Sequence, residues 1–159
     1  MRIAIFAGAF AVLSAPVSAD IQPNDGTWSG TWIYVGSSGC PKDVIDQMIS
    51  APAADRSYTH ALTFPDPFDP AALSAAGVGD FTWTRLDEDL WHASHIDAQA
   101  TPMGPISTEM EIVLRVTSAD TMAQDVDAKV VLPPAIASMM GMGGACNWQA
   151  RVDHKRGAP

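Results

Sequence analysis

The side chains best suited to hold a metal are His92 and His95 in "HASH", and Met139, Met140 and Met142 just ahead of Cys146 in "MMGMGGAC". Imidazole nitrogens bind zinc or copper, and thioethers beside a thiolate suit Cu(I). Spacing and compartment count against both. Strand residues three apart point to opposite faces, so His92 and His95 do not chelate together without a bend, even with His60, Asp89 or Asp97 near. A disulfide at Cys146 would remove the thiolate, and flexible methionine also fills gaps in cores. The sequence therefore assigns no metal ligand.

Catalytic patterns are also missing. No serine sits in a Gly-x-Ser-x-Gly elbow. The acids Asp87, Glu88 and Asp89 fall together in a turn, where water solvates them rather than tuning them as acid and base. No glycine-rich phosphate loop follows a strand. The expectation is a non-enzymatic protein with no catalytic residue and no cofactor. The remaining binding chemistry is aromatic. Trp32, Tyr58, Trp83 and Trp91, together with Tyr34, Phe64, Phe81 and Trp148, fall on inferred inward faces. Such side chains fill a β core by default and line a ligand cavity where one exists. The first four are the candidate ligand-binding residues.

These side chains must be placed by a chain that opens with "MRIAIFAGAFAVLSAPVSA". Arg2, an apolar run from Ile3 to Leu13 and the small residues Val17-Ser18-Ala19 predict a secretory signal, residues 1–19, cut after Ala19. No later segment approaches the ~18 apolar residues of a membrane helix. The expected location is the periplasm or the exterior. The chain has 159 residues, with nine basic against 18 acidic side chains and a net charge of −9. Losing Arg2 with the signal makes the balance more acidic, which repels phosphate backbones and excludes nucleic acid as a partner. Cys40 and Cys146 are the two cysteines. In an oxidising compartment they are expected to form a disulfide.

Alternation sets the fold class. "TWSGTWIYV" places Trp28, Gly30, Trp32 and Tyr34 on one face, and "TEMEIVLRVT" places Met110, Ile112, Leu114 and Val116 inward. "SYTHALTF", "FTWTRL", "LWHASHI", "TMAQDVDAKVV" and "ACNWQARVD" complete seven predicted strands. "DAQATPMGPIS" reads as a loop. Short helices are expected over Pro41–Ser50, after Asp69 with Pro70 at its first turn and Gly77 as terminator, and within "PPAIASMMGMGG". No strand–helix repeat occurs, so the class is all-β: a small antiparallel β-barrel with short helices in the connections. Residues 20–26 read as a flexible leader, 27–153 as a single β-barrel domain and 154–159 as a tail.

Cys40 follows the first strand and Cys146 begins the last, so a bond between them makes those strands antiparallel neighbours and favours a closed sheet. A simple seven-strand meander would run them parallel. Antiparallel closure needs an eighth strand or a crossover. Gly26-Thr27-Trp28 and Gly30-Thr31-Trp32 on the first strand, with Arg151 on the last, resemble the lipocalin-like (calycin) proteins. No helix is read after the last strand, where that family has one. The resemblance implies a cup-shaped barrel, with Trp28 or Trp32 plugging one end under the guanidinium of Arg151. Arg85 and Arg115 would then matter less for stability than Arg151. The expected function is binding of a small hydrophobic or lipid-like ligand. The alternative is a periplasmic protein-interaction module, an inhibitor or assembly factor with a packed core.

Overall fold

The computed structural model describes residues 20–50, 52, 56–73 and 81–157. The predicted signal at 1–19 and the predicted helix terminator Gly77 lie outside them. Seven strands form one sheet: β1 (Gly26–Ser38), β2 (Ser57–Leu62), β3 (Thr82–Asp87), β4 (Leu90–Thr101), β5 (Gly104–Ser118), β6 (Thr121–Val131) and β7 (Ala145–Arg156). Three helices lie in the connections: α1 (Lys42–Ser50), α2 (Ala71–Leu73) and α3 (Pro134–Met139). Asp69 Oδ1 accepts from the Ala71 N–H at 2.9 Å, the capping role expected of it. The predicted loop after Ile96 is instead a continuation of the β4–β5 hairpin. Gly104 takes φ +119° at the turn and Pro105 lies near the strand start, where a missing N–H is tolerated.

The strand order is β2-β1-β7-β6-β5-β4-β3, and every pair is antiparallel. The first and last strands are therefore neighbours, as the cysteine positions required. The parity difficulty is displaced to the sheet's edges. Following the alternating directions round the order, β2 and β3 run the same way. Antiparallel closure between them is impossible, and the sheet is a curled half-barrel rather than a closed barrel.

The connection after β2 crosses that gap with side chains instead of hydrogen bonds. Trp28 stacks edge-on against Phe64 (5.7 Å between centroids), Phe64 against Phe68 (5.3 Å) and Phe68 against Trp91 (5.9 Å). This aromatic chain joins β1 to β4. With Leu62, Leu73, Leu114, Val116 and Met122 it forms the main buried core. Each such apolar side chain stabilises by about 1.5–3 kcal/mol when fully buried.

Of residues 20–26, expected to be a flexible leader, Gly26 begins β1 and the residues before it are tied across the same end. Ile21 N–H donates to Asp89 at 2.8 Å, Asn24 N–H to Ala119 O at 2.8 Å, and Asn24 Nδ2 to Asp120 at 3.0 Å. Asp25 accepts from the Phe64 N–H at 2.9 Å, and Asn24 O accepts from the Trp28 indole at 3.0 Å. The leader thus straps the turns β3–β4 and β5–β6 to the end of β2. Polar, turn-rich composition marked these residues as loop, but loop backbone with fixed partners is ordered.

At the opposite, open end, Cys40 and Cys146 are bonded, with their Cα atoms 4.3 Å apart. Ala137 and Met142 pack beside the bond.

Candidate functional site

Directly opposed residues of an antiparallel sheet share a face, so the register sorts the concave side chains into rows. Beside the strap lie His60, Trp28 and Arg156. Next come Tyr58, Gly30, His154, Met122 and Val116, then Trp32, Val152, Gln124, Leu114, Trp91 and Arg85. The following row is Tyr34, Ala150, Val126, Ile112, Ala93 and Trp83, and beyond it Trp148, Ala128, Met110 and His95.

The row through Ala93, Ile112, Val126 and Ala150 is the floor of a concavity. Ala93 and Ile112 are 1% exposed and Ala150 2%, while Trp32, Phe81, Trp83, Met110 and Trp148 stand around them only partly buried. The two small alanines at mid-sheet are covered by the larger side chains packed against them. Trp32 and Trp148 meet edge-on at 6.2 Å on one wall, and Phe81 and Trp83 at 6.2 Å on the other. Three of the expected ligand residues, Trp32, Trp83 and Trp91, therefore share this concave face.

Tyr58, the fourth, belongs to a polar network at the strapped side of the floor. Its hydroxyl lies 3.3 Å from His154 Nδ1, and His154 Nε2 lies 2.9 Å from Gln124 Oε1. Since Gln124 Oε1 only accepts, Nε2 carries the proton and Nδ1 receives the Tyr58 O–H. Burial pushes the His154 imidazole down to about 4, against an opposing pull from Asp153, so the ring is neutral near pH 7. Burial also pushes the Tyr58 phenol up to about 12. Every member is uncharged, which suits three polar groups embedded among apolar ones. The sequence reading passed over His154, placed in a tail, and Gln124. Their signal was parity: both keep the inward phase of β7 and β6.

Arg151 corrects the expectation placed on it. It opposes Ile33, on the convex face, where it pairs with Asp153 (2.8 Å) and Asp125 (3.7 Å). Trp28 and Trp32 face the other way, so a strand residue of odd phase cannot reach them. The last-strand arginine directly opposite Trp28 is Arg156, which donates to Asp25 O at 2.7 Å. The cation over an indole is Arg85, 5.7 Å from the Trp91 centroid and also bonded to Asp20, Asp87 O and Glu88 O. Arg85 thus fixes the hairpin turn and the strap, against the minor role expected of it.

The metal hints do not converge. His92 faces outward to Glu111, whereas His95 faces inward and packs against Phe81 at 5.7 Å. Met142 is buried beside the disulfide while Met139 and Met140 are exposed, and the bonded Cys146 offers no thiolate. A cleft of about 570 Å³ lies on the convex face, lined by Glu109, Glu111, Asp127, Lys129 and Gln149 among others. Two of its charges are met locally, Lys129 by Glu109 at 2.9 Å and Asp127 by Gln149 at 2.5 Å, and Gly36, Ser37 and Trp148 share its lining. No helix among the described residues is long and apolar enough to cross a membrane.

No protein-family model, curated protein or solved structure matches the chain.

Proposed function

We propose that this is an exported, non-enzymatic protein that binds a small apolar or lipid-like molecule on the concave face of its half-barrel. The observation that carries the reading is the group of incompletely buried tryptophans, Trp32, Trp83 and Trp148, gathered round Ala93 and Ala150 on the concave face. Contiguous apolar side chains left partly open to water favour a molecule that covers them. The disulfide suits a compartment outside the reducing cytoplasm, in keeping with the predicted signal. The lipocalin-like reading keeps only the Gly-x-Trp pattern of β1, because Arg151, the arginine it relied on, lies on the convex face. In that reading the aromatic bridge across the β2–β3 gap does the work of barrel closure.

The test uses a neutral hydrophobic dye, Nile red, because an anionic one would be repelled by the net charge of −9. Binding should raise dye emission and shift tryptophan emission, and organic extraction of purified protein should yield a bound molecule. Ala93→Leu, which fills the floor, should abolish dye binding while leaving the far-ultraviolet spectrum unchanged. Wild-type protein without dye binding or extractable ligand would overturn the proposal.

One observation favours the second reading, a protein-interaction module. Among the described residues, 95–101 of β4 run past the end of β3, and Ile96 there is 73% exposed. An uncovered strand edge can accept a strand from a partner. Capture of a defined protein that Ile96→Lys abolishes, with no dye binding, would favour this reading instead.

A further inference from the structure

Two indole nitrogens on the concave face are buried and have no hydrogen-bond acceptor among the described residues: Trp83 Nε1 and Trp91 Nε1. They sit on adjacent strands in adjacent rows, since Trp83 opposes Ala93 and Arg85 opposes Trp91. Trp28 shows how this fold treats an indole that belongs to the core, because its N–H donates to Asn24 O at 3.0 Å. A buried indole N–H normally finds a partner, and one left without it forfeits the bond it made to water. Two such donors on neighbouring strands of the concave face, unmatched among the described residues, suit an acceptor supplied by a ligand.

We propose that the bound apolar molecule carries an uncharged hydrogen-bond acceptor, a ketone, ester or ether oxygen, that receives the N–H groups of Trp83 and Trp91. This rests on the concave face being the ligand site. The neighbours decide that the acceptor is neutral. Arg85, the cation over Trp91, is already bonded to Asp20, Asp87 O and Glu88 O, and the chain as a whole is strongly acidic. Among the described residues an anionic head group would meet no free lysine or arginine beside these indoles and would carry a large desolvation cost. The surroundings also make a poor water site. Ala93, Ile112, Leu114 and Phe68 offer no side-chain hydrogen bonds, and an ordered water needs two to four polar partners.

The experiment titrates full-length mature protein, uniformly labelled with ¹⁵N, with decane, 2-decanone and decanoate. The five tryptophans yield five indole N–H resonances, assigned with Trp83→Phe and Trp91→Phe. The ketone should bind about tenfold more tightly than the alkane, the factor a single neutral hydrogen bond supplies. It alone should move the Trp83 and Trp91 resonances downfield, with the Trp28 resonance unmoved. Equal binding of ketone and alkane without those shifts overturns the acceptor and leaves the apolar site standing. Decanoate binding more tightly than 2-decanone overturns the neutrality. Binding of none of the three overturns the concave site itself, and this inference with it.

Discussion

The ring of Tyr58 lies across Gly30 of the neighbouring strand, so closely that a Cβ on Gly30 would overlap the phenol. This absence of a side chain is what lets a β2 residue pass over β1 and reach His154 on β7. Gly30→Ala should therefore displace Tyr58 and cost about 1–3 kcal/mol in urea unfolding, the usual range for overpacking. In a Tyr58→Ala background the same substitution should cost far less. Equal costs in both backgrounds would mean the ring is not held over the glycine.

His154 makes stability depend on acidity. Its folded pKa, about 4, lies below the unfolded value of 6.5, so between those pH values the unfolded chain binds a proton that the folded one refuses. Stability is complete above pH 6.5 and is lost as pH falls toward 4, by about 3 kcal/mol from this group. His154→Gln should flatten that part of a stability-against-pH curve measured by chemical denaturation. An unchanged slope would remove His154 as its origin.

Tyr58 titrates at the other extreme. Its phenolate absorbance near 295 nm, isolated by difference from Tyr58→Phe, should emerge around pH 12 and not around 10 while the protein stays folded. Emergence near pH 10 would place the hydroxyl in water rather than beneath the network.

The arginines separate by face. Arg151→Ala, on the convex surface, should leave the unfolding midpoint unchanged, because exposed ion pairs contribute little. Arg156→Ala should lower stability by about 1–2 kcal/mol, since Arg156 holds the strap through Asp25 O and Asp120. The reverse order would restore the role first expected of Arg151.

The Cys40–Cys146 bond joins residues 106 apart in sequence. Thiol labelling of folded mature protein without reductant should find no free thiol. Replacing both cysteines with alanine should leave the fold but reduce stability by up to about 4–5 kcal/mol in the chain-entropy model. Far-ultraviolet circular dichroism with urea titration measures both outcomes.

The sequence by itself determined what depends on neighbours along the chain. Alternation is a local property of extended backbone, so the inward faces of β1, β4, β5, β6 and β7 and the opposed faces of His92 and His95 were legible from residue spacing. Cysteine count and position likewise fixed the bond and, through it, the β1–β7 pairing. What tertiary structure decided depends on contacts between residues distant in sequence. Alternation says which face a residue takes but not which strand lies beside it, so Arg151 and Arg156 could not be ranked until the register set Arg156 opposite Trp28. The leader looked mobile because its partners, Asp89, Ala119 and Asp120, lie on turns far along the chain. The Tyr58–His154–Gln124 network joins three strands across Gly30, and the half-barrel is open where the edge strands β2 and β3 run the same way without pairing. Neither fact is encoded in any one segment, since both arise from the order in which the segments come together.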